Sequence, residues 1–367
     1  MRNFGTFGMR WSHLLGAAVF LLTPAAAAGG GYTELFNFDC ATEGCDPISP
    51  ALLAQGEDGV LYSTLESGTV QSSDGTIIDY VPGGGVNVLY RFQGPDGFGP
   101  QSGLTLGFDG AFYGTTTNGG SAGKGTVFKL SNGTMTVLYQ FTDGTDGAYP
   151  WAPPVQTPDG NLYGVTYNGS HPGTAYRITP SGKFTVIATL PSKTTAPLIM
   201  GVDGNFYGTT QYGGTANQGT VFRLSTRGKL TLLHSFNGTS EGATPLTPLM
   251  IAADGKFYGT TSGGGQFSQG VVYRLSSSGG GYQVLHSFQV AEGTGSTAGL
   301  VQGSDNYLYS AQSAGGANGY GTLYRMNTRG TKFQLLHQFD YQDGAYPGAT
   351  PTLHTSGTLA SAVWRMK

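Results

Sequence analysis

The chain has 367 residues, a formal net charge of -3, 11% charged residues, and 63 glycines with 18 prolines. The low charge gives no basic surface for nucleic acid or anionic membranes and no acidic tail. A glycine content this high indicates low complexity unless glycine recurs at a fixed spacing, where it marks turns between short strands.

The first 28 residues have the composition of an export signal. Arg2 and Arg10 are basic, residues 14–22 are apolar, and Ala26 and Ala28 supply a small-residue cleavage site. The apolar run is too short to span a bilayer as a helix. We therefore predict a signal peptide over residues 1–28, a mature domain over 29–367 with no transmembrane span, and a periplasmic or secreted protein, with surface association as an alternative.

Two cysteines, Cys40 and Cys45, are the only ones in the chain. In an exported protein a pair this close predicts a small disulfide loop, with free thiols as the alternative. A structural zinc site needs a second pair of ligands, so the pair predicts no metal site.

One sequence unit recurs along the chain: an Asp-Gly turn, an aromatic pair, Gly-Thr-Thr, a Gly-rich loop, and Gly-Thr-Val-Phe-Lys-Leu. Its anchoring tyrosines are Tyr62, Tyr113, Tyr163, Tyr207, Tyr258 and Tyr309, and subtracting their numbers gives steps of 51, 50, 44, 51 and 51 residues. A period near 50 predicts propeller blades or solenoid coils.

Each unit divides into four short strands, a to d, which in the fifth unit lie at 248–252, 256–260, 271–275 and 282–288. The Asp-Gly pairs between strands a and b predict type I′ hairpins. Four antiparallel strands per unit favour a β-propeller over a solenoid. The sequence therefore predicts an all-β, monomeric protein with a propeller of repeated four-stranded blades.

Seven strands of type d occur, and the first, ending at Phe38, precedes any complete unit. We therefore predict seven blades, with the ring closed by pairing this N-terminal strand with C-terminal strands at 352–354 and 363–366. Closure is favoured because it removes open sheet edges. The last unit has lost its Gly-rich b–c loop, so its blade is expected to be irregular.

The repeated motif, as it stands at residues 203–236, resembles the GloVer tandem repeat of the choice-of-anchor bacterial surface proteins. The resemblance covers nearly all of the mature chain. It implies an exported repeat protein, often attached through a C-terminal sorting segment, with no established reaction. The chain ends at 364–367 without an apolar anchor, which favours a periplasmic or released form.

Because successive antiparallel strands alternate in direction, the d–a and b–c loops are expected on one face of the disc and the a–b and c–d loops on the other. Six of the seven d–a loops carry an acid before glycine, at Glu43, Asp96, Asp146, Glu241, Glu292 and Asp343. One interpretation is a ring of carboxylates near a central channel that holds a polyhydroxylated ligand or calcium. The other is a structural turn in which the acid accepts backbone N–H bonds. The sequence predicts no cofactor, with calcium as the alternative.

The b–c loops contain polar and aromatic residues suited to stacking on a sugar and hydrogen bonding to it. The candidate ligand-binding residues there are Asn118, Tyr167, Asn168, Gln211 and Tyr212. Three histidines, His234, His286 and His337, recur at one place in the d strands and are interpreted as packing residues.

The G-x-S-x-G pattern occurs at 119–123 and 238–242, but in loops between predicted strands and without the following helix of a nucleophile elbow, and the chain has no Cys/His pair and no isolated Ser-His-Asp set. The sequence therefore favours a non-catalytic exported module that binds a glycan, a protein or a cell-envelope component. One alternative is a carbohydrate-active enzyme, a glycosidase or lyase, that uses acids such as Asp96, Asp146 or Asp343. The other is a structural spacer.

Overall fold

The computed structural model describes residues 15–22, 32–37, 53–56, 58–66, 74–81, 84–167, 172–353 and 359–366. Cys40, Cys45 and Asn168 lie outside these residues, so the disulfide stays a prediction. Within the described ranges no helix is long and apolar enough to cross a bilayer. The helical structure described is one 3-10 turn, Val290–Glu292.

Six consecutive repeats each form a four-stranded antiparallel sheet within the described residues. The strands, in the order a, b, c, d, are β3 (Ala54–Gln55), β4 (Leu61–Leu65), β5 (Thr76–Val81), β6 (Gly85–Arg91); β7 (Thr105–Leu106), β8 (Phe112–Thr116), β9 (Thr126–Ser131), β10 (Thr134–Gln140); β11 (Val155–Gln156), β12 (Leu162–Val165), β13 (Thr174–Ile178), β14 (Phe184–Thr189); β15 (Ile199–Met200), β16 (Phe206–Thr210), β17 (Thr220–Leu224), β18 (Leu230–Ser235); β19 (Met250–Ile251), β20 (Phe257–Thr260), β21 (Val271–Leu275), β22 (Gln283–Ser287); β23 (Val301–Gln302), β24 (Tyr307–Gln312), β25 (Thr322–Asn327) and β26 (Gln334–Gln338). This is the blade architecture of a β-propeller.

A further four-stranded sheet joins the two ends of the chain. Its strands are β1 (Leu15–Leu22), β2 (Tyr32–Asn37), β27 (Thr352–Leu353) and β28 (Leu359–Met366), in the order β2-β1-β28-β27. The predicted strand order is wrong in one respect, because β2 pairs with β1 rather than with the C-terminal segment.

Strand direction explains the difference. The C-terminal segment forms one strand of type b, and strands b and d of an antiparallel blade run in the same direction. They therefore cannot be antiparallel neighbours, and a strand of type c must lie between them. Residues 15–22 form this strand and pair with β28 along their whole length. The same segment is the apolar core of the predicted signal peptide.

Aromatic side chains of the b strands pack between neighbouring blades. The Tyr207 ring lies 4.2 Å from that of Phe257 in the next blade, and the rings of Tyr163 and Phe206 are 4.4 Å apart. In five of the six blades, all except that of Tyr163, the tyrosine hydroxyl donates to an aspartate of its own a–b turn, as Tyr207 does to Asp203 at 2.8 Å. This bond fixes the ring while its face is buried, which explains the Asp and Tyr of the repeat.

The a–b turns differ from the predicted type I′ hairpins. In the turn at 107–111, Gly107 donates to the Ala111 carbonyl at 2.8 Å and Gly110 donates to Gly107 at 3.1 Å. Gly110 has a φ of 73°, whereas Asp109 does not have a positive φ. A type I′ turn needs two positive φ values, so this connection is a longer turn that ends in a glycine bulge.

Three fully buried tyrosines occupy one position of the c strands, at Tyr176, Tyr273 and Tyr324, where two other blades have Phe128 and Phe222. The hydroxyls of Tyr176 and Tyr273 have no hydrogen-bond partner among the described residues. Burial raises the pKa of Tyr273 well above its usual range. A side chain at Gly259 would come within 2.4 Å of the Tyr273 hydroxyl, so glycine is required there.

We expect Tyr273→Phe to leave the free energy of unfolding unchanged or to raise it by about 1 kcal/mol, since it removes an unpaired buried hydroxyl. The reverse change in the neighbouring blade, Phe222→Tyr, should be destabilising. Chemical denaturation of both variants measures this. Destabilisation by Tyr273→Phe would show that the hydroxyl is satisfied in solution.

Candidate functional site

One residue in each of the six described d–a loops ties two neighbouring blades together, and we call its place the rim position. In five loops its carbonyl accepts the N–H of the next b–c loop at 2.8 to 3.4 Å. These bonds run from Thr117 to Gly99, Tyr167 to Tyr149, Gln211 to Lys193, Ser262 to Thr244 and Ser313 to Gly295. Tyr346 holds the rim position of the last described loop, where its N–H donates to Tyr320 of the preceding blade at 2.8 Å. The d–a and b–c loops therefore share one surface, the loop face, as the alternating strand directions predict.

Five of the acids before glycine lie at the outer edge of the blades, and the sixth, Glu43, lies outside the described residues. Every c–d pair of the six blades contains a bulge, and the d-strand residue after it faces the following turn. That slot holds Tyr90, Tyr139, Ala188, His234, His286 and His337. Strand d is the last strand of each sheet, opposite the inner strand a.

Each acid of the described d–a loops contacts the slot residue of its own blade. Glu292 lies 3.0 Å from His286 Nε2, and Asp343 lies 2.7 Å from His337 Nε2. Asp96 accepts a hydrogen bond from the Tyr90 hydroxyl, and burial together with this bond raises the pKa of Tyr90 to about 12. Glu241 is more distant, 3.7 Å from His234 Nε2.

The loop that lacks an acid follows the slot that lacks a hydrogen-bonding side chain. Ala188 holds this slot, and residues 191–193 replace the acid-glycine pair. An acid there would have no outer-strand partner. The joint loss of both groups supports a structural role for the acids at the other turns.

Asp146 shows how completely such a carboxylate is engaged. Its exposed fraction is 7%, and it accepts the Thr142 N–H and hydroxyl, both at 2.8 Å, and the Gly144 N–H at 3.0 Å. The Tyr139 hydroxyl donates to it at 3.1 Å. Burial, followed by the charge of Asp146, raises the pKa of Tyr139 to about 12.

The predicted packing role of the histidines fits the ring contacts. His234 stacks on Tyr282 of the next blade at 3.7 Å, and His286 stacks on Phe333 at 4.1 Å. Burial lowers the pKa of His234. Among the described residues, no group of three or more His, Cys, Asp or Glu could hold a metal ion.

A cavity of about 450 Å³ lies on the axis of the disc, lined by residues of the inner strands and of the segments just before them. The lining residues are Thr105, Val155, Pro197, Leu198, Ile199, Met200, Pro248, Leu249, Met250, Ile251, Leu300 and Thr350. None of these described lining residues ionises. The acids of the outer turns are therefore not part of the lining, in contrast to the proposed carboxylate ring near a central channel.

The candidate residues of the b–c loops differ in accessibility. Tyr212 has an exposed fraction of 44%, whereas Gln211 is 8% exposed and points toward the Thr195 hydroxyl at 3.5 Å. Asn118 is half-buried and donates to the Thr117 hydroxyl at 2.9 Å. Their role in ligand binding stays a prediction.

Two aromatic clusters on the loop face were missed by the sequence analysis. Tyr167 lies beside Trp151, with ring centroids 5.7 Å apart, and Lys193 Nζ lies 5.1 Å above the Tyr167 ring. In the last described loop, the Tyr320 ring lies 4.8 Å from Tyr341 and 5.9 Å from Tyr346. The sequence signal that could have identified these clusters is the presence of aromatic residues at loop positions where other repeats have small residues.

Three rim residues have a backbone conformation that is unusual for their type. Tyr149, Thr244 and Tyr346 have φ values of 55°, 54° and 51°. The same rim position is glycine in two other loops, Gly99 with φ 65° and Gly295 with φ 67°. Five of the six described rim residues are therefore left-handed, with Lys193 as the exception, and this conformation costs a tyrosine roughly 1–2 kcal/mol relative to glycine.

The fold and the loop face define this molecule as an all-β repeat propeller whose blades are joined by glycine-rich loops. A family model described as the Gloeobacter/Verrucomicrobia repeat matches residues 15–200 and 191–365. The chain belongs to this repeat family, which confirms the resemblance seen in the repeated motif. In sequence, no curated protein matches the chain.

Solved structures show the same fold. A predicted 6-phosphogluconolactonase from Bacteroides uniformis is 16% identical with a TM-score of 0.56, and the match covers 82% of this chain and 89% of that one. A predicted TolB from Agrobacterium tumefaciens is 10% identical with a TM-score of 0.52, over 95% and 98% of the two chains. A variant of puromycin hydrolase is 12% identical with a TM-score of 0.52, over 93% of this chain and 56% of that one. At these identities the likeness concerns the fold alone.

We expect Asp146→Ala to lower the free energy of unfolding by about 1–3 kcal/mol, because it leaves buried donors without an acceptor. The midpoint temperature of thermal unfolding of the wild type should be the same in calcium as in a chelator. The Asp146 carboxylate is already saturated with protein hydrogen-bond donors. A midpoint that rises with calcium in the wild type but not in the variant would contradict the structural role of Asp146.

Proposed function

We propose that the protein is an exported, non-catalytic glycan-binding module that holds its ligand on the loop face. The observation that carries this proposal is the left-handed conformation of Tyr149 and Tyr346 at the rim position. Backbone strain of this kind persists where the side chain has a use that offsets its cost. Glycine, the strain-free residue, stands at the same position in two other loops.

Exposed aromatic side chains on the loop face support the same proposal. Four of them, each in a different loop, have similar exposed fractions: Phe98 40%, Phe267 43%, Tyr212 44% and Tyr346 45%. Bulky rings held on loops that are tied to a rigid scaffold are suited to recognition. Tyrosine combines an apolar face with a hydroxyl, which matches the alternating apolar and polar surfaces of a sugar.

The engagement of the acids favours binding over carboxylate catalysis. A glycosidase needs two carboxylates on either side of one bond. Among the described residues, the d–a loop acids instead contact their own outer strands, and the axial cavity has an apolar lining. We therefore rank the module above the carbohydrate-active enzyme.

The finer proposal for the fold is a ring of seven blades, with the terminal sheet as the seventh. This sheet needs β1, so it requires that residues 15–22 be kept in the folded protein. The pairing of all eight residues of β1 with β28 supports this, as does a family match that begins at residue 15. The basic residues Arg2 and Arg10, followed by the apolar residues of this segment, favour export whether or not the segment is removed.

The intact mass of the protein produced in a bacterial host with its own N-terminus tests the blade count. We expect a mass that includes residues 15–22, because their removal would leave β28 without the strand that separates it from β2. A mature chain that begins at Gly29 would contradict the seven-bladed ring and support the predicted signal peptide.

A glycan array, followed by an assay for released sugars, tests the binding function. We expect Tyr346→Gly to lose at least about tenfold in affinity, in line with the loss of one aromatic anchor. It should unfold at the same temperature as the wild type or a higher one, since glycine removes the strain. Phe108→Gly, which removes a 69% exposed ring from an a–b turn on the opposite face, is the control and should bind normally. Sugar release by the wild type, or unchanged binding by Tyr346→Gly, would contradict the proposal.

A further inference from the structure

A strip of aromatic and lysine side chains crosses two adjacent d–a loops of the loop face. Its members are Tyr149, Trp151, Tyr167 and Lys193, and we call it the lysine strip. Tyr167 lies at its centre, since its N–H donates to the Tyr149 carbonyl at 3.1 Å and its ring contacts both Trp151 and Lys193. From this arrangement we infer that the strip binds a sugar that carries a carboxylate, a hexuronate unit of an acidic glycan. The inference rests on the proposed glycan-binding function and names the class of glycan.

The charge of Lys193 points to an anionic ligand. Among the described residues, no carboxylate lies within 4 Å of its ammonium group, whereas Lys124 at the side of the strip is paired with Asp143 at 2.7 Å. Lys193 belongs to the d–a loop that lacks the acid-glycine pair, so the local negative charge of the other loops is missing there. An ammonium group that is half-buried against an aromatic ring gains from a carboxylate partner.

The other acids near the strip are already engaged. Asp143 is bound to Lys124, and Lys124 also donates to the Tyr149 hydroxyl at 2.9 Å. Asp146 is buried and accepts bonds from its own turn and from Tyr139 of the outer strand. Neither carboxylate forms an ion pair with Lys193, whose ammonium group is therefore available to a ligand.

The rings of the strip supply the surface for the sugar itself. The planes of Trp151 and Tyr167 are inclined at 42°, so together they form a shallow angled surface rather than a flat stack. A pyranose ring has apolar C–H faces that pack against such a surface, and its carboxylate can then reach a cation at the end of the strip. A positively charged side chain beside these aromatic rings favours a sugar that carries a negative charge over a neutral sugar.

The rim position fixes this geometry. The Lys193 carbonyl accepts the Gln211 N–H at 2.8 Å, and the Tyr149 carbonyl is held in the same way by Tyr167. The two rim residues are therefore set at adjacent places on the disc, one blade apart. In the other described loops the rim residue is glycine, threonine or tyrosine, so the combination of lysine and aromatic rings occurs at one place among the described rim positions.

Isothermal titration with a hexuronate oligosaccharide and with its carboxyl-reduced, neutral counterpart tests the inference on the full chain. We expect the wild type to prefer the acidic sugar, with affinity that falls as ionic strength rises from about 0.05 M to about 0.5 M. Lys193→Met should weaken binding of the acidic sugar about tenfold and leave the neutral sugar unaffected. Lys193→Arg should retain most of the preference for the acidic sugar, because arginine keeps the positive charge.

Lys256→Met is the matched control, since it removes the same charge from an a–b turn on the opposite face. It should bind both sugars as the wild type does, and circular dichroism should show all variants folded. Equal binding of both sugars, unchanged by Lys193→Met, would overturn the inference and leave the proposed function intact. Binding of neither sugar would overturn the inference, and binding of no glycan on the array would overturn the proposed function as well.

Discussion

Backbone hydrogen bonds of the rim residue join neighbouring blades, and the loop face depends on this tie. At Gly99, Tyr149 and Thr244 the rim residue donates to the b–c loop of the preceding blade and accepts from that of the following one. At Lys193 and Gly295 the carbonyl accepts, and at Tyr346 the N–H donates. The backbone makes the tie, so the position recurs from blade to blade. The side chain is not needed for the tie and is free to differ. The fold thus presents a ring of fixed positions with variable chemistry.

The acid-glycine turns beside the rim explain why these positions are rigid. Each acid joins its turn to the outermost strand of its own blade, through a tyrosine or a histidine placed there by a bulge. In the blade where the slot holds Ala188, the turn has lost its acid and the loop has a different course. The lysine of the strip stands in this altered loop. The one described d–a loop that lacks the acid is therefore also the loop that carries the proposed sugar specificity. Without that acid, the lysine has no negatively charged neighbour in its own loop.

Local sequence patterns predicted most of the fold. Periodic Asp-Gly turns, alternating strands and a 50-residue spacing each depend on short-range chemistry, and they identified the blades and the shared face of the loops. The turn type was wrong because the sequence does not show how many residues reverse the chain. The terminal strand order was wrong because residues 15–22 have the composition of an export signal as well as that of an apolar strand.

The candidate site was predicted less well, because its contacts join loops of different blades. Gln211 looks accessible as a loop residue, yet a neighbouring d–a loop covers it. The acids look like a ring around a channel, yet a bulge in the outer strand turns their partners toward them. Trp151 and Lys193 fall outside the repeated motif and have no local pattern, so only the register between loops brings them to Tyr167.

A crystal structure of the chain with a hexuronate oligosaccharide tests the central claim most directly, namely that the rim positions carry recognition. The sugar is expected on the loop face, with one ring against Trp151 and Tyr167 and its carboxylate within hydrogen-bonding distance of Lys193 Nζ. A sugar bound in the apolar axial cavity, or on the face of the a–b turns, would contradict that claim.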